Sequence, residues 1–238
     1  VWSDAAGNSI SRFDLATRTS GVLRRLPNDP NTVLDLVGLG GGTVYFNELS
    51  AGHRGLYAMP AVGGAEMLIT ALSAQAPVAG DDKLLWLEQL TGPSKNVPPT
   101  FALHLHMQDG TANDHVIPTG GAFSSHQVSG NTVIWISGVT GALMAYDIPT
   151  GSVRAVAPAS VIDPQLHGSH VAWTEAARRD TFGTTIRSLD LTTGAVTTVG
   201  GGQPGLVRVA GITDNGLLAY TVGYAGTPGG ALYVTPLP

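Results

Sequence analysis

The chain has 238 residues, of which 32 are glycine and 15 proline; 43% are hydrophobic and only 12% are charged. This composition excludes a disordered chain and is typical of many short strands joined by tight turns. No apolar run approaches the roughly 20 residues of a membrane-spanning helix. The 12 basic residues are scattered and the net charge is −5, which disfavours a nucleic-acid-binding surface. Cysteine is absent, which excludes disulfides and thiolate metal sites.

An aromatic residue recurs inside an apolar run along the whole chain. The six are Trp2, Tyr45, Trp86, Trp135, Trp173 and Tyr220. They lie about 44 residues apart on average, which is the length of a propeller blade of four strands. We therefore expect these aromatic side chains to pack in the core between neighbouring repeats.

Two further signals recur at fixed places around each aromatic run. A short apolar run ending at a glycine precedes it. The run that follows it ends in a turn, and three of these turns carry an aspartate: Asp14, Asp147 and Asp190. An aspartate there can accept hydrogen bonds from the backbone of its own turn, while a following glycine takes the positive-φ position. One repeat is therefore four strands, and no segment has the sustained 3.6-residue period of a helix.

The segment HQVSGNTVIWISGVTGALMAYDIPTGSVRAVA, residues 126–157, resembles a repeat of the TolB-like β-propellers. The likeness covers nearly the whole chain and is loosest in the second and third repeats. It implies an all-β fold: one domain over residues 1–238, built as a six-bladed β-propeller of four-stranded antiparallel blades. It implies nothing specific about activity, because propellers support many functions.

The terminal repeats are incomplete, since the first lacks its first strand and the last lacks its fourth. Two alternatives follow: either the ring closes with two three-stranded blades, or further strands lie outside these residues. The chain begins at Val1 with no leader, which indicates a removed signal peptide or a fragment.

Two groups of histidines are candidates for chemistry. His104 and His106 are two residues apart on a predicted strand, so they face the same side and could share a divalent metal if further ligands joined them. His126 and His167 belong to the first strands of neighbouring repeats, which line the channel of a propeller. Either could act as a general base in a lyase, cyclase or hydrolase. The simpler alternative for both groups is a polar strand face or a loop rim. No cofactor is predicted beyond that metal.

Loops supply the remaining candidates, because loops carry recognition in such scaffolds. An insertion between two strands of the third repeat contains Lys95, and a charged loop of the fifth contains Glu175, Arg178 and Arg179. We expect a secreted or periplasmic binding or scaffold protein that presents these loops to a protein or glycan. The alternatives are an enzyme with a histidine site and a subunit of an extracellular assembly that self-assembles by strand addition at its open blades.

Overall fold

The structure is a computed structural model, and the description below is confined to residues 1–3, 8–26, 32–50, 52–71, 74–91, 100–108, 114–158, 160–176, 183–201, 206–213, 215–223 and 230–237. These residues form 22 β-strands and no helix. Accordingly, this part of the chain contains no helix that could cross a membrane. The strands form six antiparallel sheets in which sequence neighbours pair.

The first three sheets lie in a compact unit that covers Val1–Pro118. The first contains β1 (Trp2–Ser3), β2 (Ser9–Asp14) and β3 (Thr19–Arg25); the second contains β4 (Val33–Gly40), β5 (Thr43–Ser50), β6 (His53–Pro60) and β7 (Met67–Thr70); the third contains β8 (Gln75–Gly80), β9 (Lys83–Gln89), β10 (Phe101–Met107) and β11 (His115–Ile117).

The other three sheets lie in a second compact unit, Thr119–Pro238. The fourth contains β12 (Phe123–Ser129), β13 (Thr132–Ser137), β14 (Leu143–Asp147) and β15 (Ser152–Ala157); the fifth contains β16 (Val161–His167), β17 (His170–Ala176), β18 (Gly183–Asp190) and β19 (Val196–Gly201); the sixth contains β20 (Leu206–Ile212), β21 (Leu217–Gly223) and β22 (Gly230–Pro236). That residues 1–238 form one domain stays a prediction.

The recurring aromatic residues lie on the strands expected of them, and most are buried between sheets of one unit. Tyr45 and Trp86 belong to one apolar cluster of the first unit, and Trp173 belongs to a cluster of the second. Trp135 is also fully buried, and Tyr220 is half-buried. The prediction was wrong for Trp2, which is 43% exposed. It lies on a two-residue strand at the edge of a three-stranded sheet, with no strand beyond it among the described residues.

The three turn aspartates, Asp14, Asp147 and Asp190, bond to their own turns as predicted. Asp147 accepts hydrogen bonds from the backbone N–H and the hydroxyl of Thr150, at 2.9 and 2.5 Å. Asp14 accepts two backbone N–H bonds and Asp190 one, and these turn hydrogen bonds hold the pKa of each carboxyl below its ordinary value of 3.8. Four residues after each aspartate the backbone has positive φ, at Arg18, Gly151 and Gly194.

The first strands of the third, fourth and fifth sheets share a bulge. In each, the pairing with the next strand shifts by one residue, and a residue other than glycine takes a positive φ of 43 to 50°. The three are Ala76, Ser125 and Asp163. Because the bulge adds one residue to the strand, it reverses the face on which the following side chains lie.

Candidate functional site

A buried carboxylate lies on β5 of the first unit. Val44, Phe46 and Glu48 alternate along this strand and therefore face the same side, against the apolar cluster between the first two sheets. Glu48 is only 2% exposed. Burying a carboxylate costs free energy unless charged or polar groups bond to it, so this position requires partners.

Arg24 on β3 supplies the main partner. Its Nε and Nη2 lie 3.1 and 2.8 Å from Glu48 Oε2, and Nη2 also lies 3.0 Å from Oε1. Its Nη1 lies 3.0 Å from Oε1 of a second carboxylate, Glu66, just before β7. Ser50 donates its hydroxyl to Glu48 Oε1 at 2.7 Å. One guanidinium thus joins two carboxylates from the second sheet to the first.

An imidazole completes this group, which we call the Glu48 cluster: Arg24, Glu48, Ser50, His53 and Glu66. His53 begins β6, is exposed, and packs on the ring of Tyr57 with centroids 6.0 Å apart. One ligand atom each from His53 and the two carboxylates lie within 4.8 Å of one another, the one such set of three found among the described residues. The pKa of Tyr57 is raised first by its burial and then by the two negative carboxylates, with Arg24 opposing them.

The structure gives each predicted metal-ligand histidine its own carboxylate. His104 stacks on Trp86 of the neighbouring strand, with centroids 5.2 Å apart, and its Nε2 lies 2.7 Å from Glu88 Oε2. His106 Nδ1 lies 3.4 Å from Asp114 Oδ1. The two imidazoles are not in the set that could share an ion, and a metal there stays a prediction.

The predicted catalytic histidines lie on the first strands of two neighbouring sheets of the second unit. His126 on β12 is buried, and its ring meets Phe123 edge-to-face with centroids 6.3 Å apart. His126 directly follows the bulge residue Ser125. The equivalent position on β16, directly after its own bulge residue, is Pro164. His167 ends β16 and is half-buried. A catalytic role for either histidine stays a prediction.

Of the predicted binding residues, the structure describes Glu175 alone; Lys95, Arg178 and Arg179 lie outside the described residues. Glu175 is 39% exposed at its side chain and accepts a bond of 2.8 Å from Arg187 Nε. Arg187 in turn donates to Thr198 at 2.6 Å. The pair lines a cleft of about 190 Å³ together with Trp173, too small for more than a side chain or a short ligand fragment.

The last strand of the second unit, β22, exposes apolar side chains that its counterparts bury. Leu232 is 64% exposed and Val234 57%. In β10 and β14, the third strands of two four-stranded sheets, Leu105 and Leu143 are fully buried. Leu232 and Val234 lie on the face of β22 opposite to Tyr233, whose ring stacks on that of Tyr220. We call this surface, Gly230–Pro236, the β22 edge.

Sequence reasoning did not single out the Glu48 cluster, although one signal was present. In the run TVYFNELS, Glu48 falls on the same alternation as Val44 and Phe46, so a carboxylate occupies a position that should face the core. Such a residue requires a buried partner and could have been identified on that ground. Which residue partners it depends on contact between two sheets, and the period of the repeat does not reveal that.

The comparisons with known proteins identify the fold alone. No protein-family profile matches the chain, and no curated protein matches it. Among solved structures the chain is similar to an oligogalacturonate lyase in complex with manganese, with 16% identity and a TM-score of 0.61 over 93% of this chain and 66% of that one. It is similar to a puromycin hydrolase, with 14% identity and a TM-score of 0.61 over 91% and 37% of the two chains.

A chain of a nidogen–laminin complex shows 15% identity and a TM-score of 0.51 over 91% of this chain and 82% of that one. These neighbours are β-propeller proteins and include both binding proteins and enzymes. The six sheets of three or four antiparallel strands agree with that fold. This chain therefore has a β-propeller fold.

Proposed function

We propose that this β-propeller is a binding protein that takes up an extended segment of a protein partner alongside β22. The exposure of the β22 edge is the observation that carries the proposal. In four of the six sheets a fourth strand follows the third, whereas in the sixth sheet β22 is the outermost strand described. Unpaired backbone N–H and C=O groups at such an edge are a template for another strand.

The chemistry of the β22 edge defines the partner segment. Its sequence, GALYVTP, has no charged residue, and exposed apolar side chains alternate between its two faces. A segment that pairs with it must be extended, uncharged in its centre and rich in β-branched residues, so that it buries Leu232 and Val234. The fourth strand of a complete sheet of the same unit, β15, has this composition in its SVRAVA sequence, apart from its one arginine.

A peptide with the β15 sequence is therefore the probe for this surface. We expect a fluorescently labelled Ser152–Ala157 peptide to bind the wild-type protein saturably. Leu232→Lys or Val234→Lys should weaken binding at least about tenfold, because a charge on an edge strand opposes pairing. Both side chains are exposed, so neither variant should alter folding, which circular dichroism checks.

The matched control is Val116→Lys on β11. Val116 is 59% exposed, nearly the same fraction as Val234, but it lies on the fourth strand of a complete sheet. Its substitution should leave peptide binding unchanged. Failure of the peptide to bind at concentrations on the order of 1 mM, or an equal loss in the control, contradicts the proposal. Dimerisation of the wild-type protein that Val234→Lys abolishes would identify a second copy as the occupant instead.

Four predictions from the sequence remain proposals. They are that each of the six sheets is one blade, that the repeats are TolB-like, that the protein is secreted or periplasmic, and that loops rather than β22 contact a protein or glycan. The enzyme alternative gains no specific support, because His126 is buried and its ring meets Phe123 edge-to-face. Loss of an identified activity in His126→Ala or His167→Ala would restore that alternative.

A further inference from the structure

We propose that Glu48, His53 and Glu66 form a binding site for Zn²⁺, and that Arg24 occupies the site when the ion is absent. The proposal concerns the first unit and is independent of peptide binding at the β22 edge. It rests on one set of three potential ligand atoms that lie within 4.8 Å of one another. The set contains one imidazole and two carboxylates, a mixture of donors that suits zinc.

The distances require a small contraction. Ligand atoms around a tetrahedral zinc ion with bonds of about 2.0–2.2 Å lie about 3.4 Å apart, so no pair of atoms in the set must approach by more than about 1.4 Å. The ligands that would move are both more exposed than Glu48. His53 is exposed at the first position of β6, and the side chain of Glu66 is 22% exposed just before β7.

Glu48 would be the fixed ligand. Its side chain is 1% exposed, and the hydroxyl of Ser50 holds Oε1 at 2.7 Å. A buried carboxylate oriented by a second hydrogen bond resembles the support that metal ligands receive from their neighbours in known sites. The exposed imidazole gives the ion a route from solvent, so the site needs no opening of the core.

Arg24 would be a competitor within the site. Its guanidinium contacts both carboxylates at 2.8–3.0 Å, so it neutralises the charge that would attract the ion. Zinc binding must displace at least one of these contacts, and this makes the affinity of the wild-type protein weaker than its ligand set alone would give. Removing the guanidinium should therefore strengthen zinc binding, whereas removing a true ligand should weaken it.

The test is calorimetric titration of the metal-free full chain with ZnCl₂ at neutral pH. We expect about one equivalent to bind, with affinity at least about tenfold weaker in His53→Ala and in Glu66→Gln. Arg24→Met should bind at least about tenfold more tightly. Thermal unfolding with and without zinc gives a second readout, because an ion that binds only the folded chain raises Tm.

The control is His115→Ala, which removes another exposed imidazole of the same unit, at the first position of β11. It should leave zinc binding unchanged. Absence of zinc binding in the wild-type protein, unchanged binding in both His53→Ala and Glu66→Gln, or loss of binding in His115→Ala would each overturn the proposal. Binding that Arg24→Met fails to strengthen would overturn the competitive role of Arg24.

Discussion

At the equivalent position of the three aspartate turns, introducing a glycine and replacing a glycine should have opposite effects on stability. Four residues after the aspartate, φ is 56° at Arg18, 68° at Gly151 and 72° at Gly194. The left-handed conformation costs a residue with a Cβ atom roughly 1–2 kcal/mol, and glycine avoids this cost. Arg18 is exposed and forms no ion pair among the described residues, so no ion pair holds its backbone in that conformation.

The magnitude follows from two opposing terms. Arg18→Gly relieves about 1–2 kcal/mol of backbone strain but increases the freedom of the unfolded chain, which costs about 0.4–1 kcal/mol. We expect a net stabilisation of about 0.5–1 kcal/mol. Gly151→Ala should destabilise by about the same amount, because a Cβ there would meet only the Tyr146 hydroxyl at 4.0 Å, an ordinary contact. The backbone alone therefore sets its cost.

Urea unfolding measures both changes, as shifts of the midpoint at an unchanged m value. Gly194→Ala is a control, because a Cβ there would have no neighbour within 4 Å, and it should match Gly151→Ala. Destabilisation by Arg18→Gly would refute the reasoning, since it would mean that the arginine side chain contributes more than its backbone conformation costs.

Three further predictions concern stability. The pKa of each turn aspartate lies below 3.8, so the ionised carboxylates stabilise the fold above about pH 4, and this stability is lost as the pH falls through the folded pKa values. Replacing all three aspartates by asparagine should therefore make the free energy of unfolding depend less steeply on pH in the acid range. Leu105→Ala should cost about 2–5 kcal/mol in urea unfolding and Leu232→Ala under about 0.5, because only the first is buried. Arg24→Met should cost about 3–5 kcal/mol, because it leaves Glu48 buried without its cation, and a smaller loss in a thermal melt at neutral pH would contradict that account.

The sequence predicted the repeat because the repeat is a local pattern. Spacing alone located Tyr45, Trp86, Trp135 and Trp173 on strands that bury them, since strand alternation and turn chemistry act over a few residues. Asp147 and its turn follow from the same local rule. Trp2 is exposed although its position in the repeat predicted burial. Its burial would require a neighbouring strand, and a pattern within one strand does not reveal which strands lie beside it.

The candidate sites were harder to predict because they depend on contacts between sheets. Arg24 and Glu48 are 24 residues apart and meet only when the first two sheets pack together. His126 was expected on a first strand that lines the channel; it lies on the first strand of its sheet, directly after a bulge at Ser125 that is not visible in the periodicity. The two predicted metal ligands, His104 and His106, share a face of β10 as expected. Each imidazole contacts a carboxylate on a neighbouring segment.

The bulges in the first strands have a consequence for aggregation. At β8 and β16 the left-handed residue is followed by Pro77 or Pro164, so the strand bends and lacks an N–H at that point. An edge shaped in this way resists pairing with another chain. β22 has no proline before its last residue and none of this protection. A destabilised variant of this protein should therefore begin to form fibrils from β22 rather than from the first strands, and the residues protected in the fibril core would reveal this order.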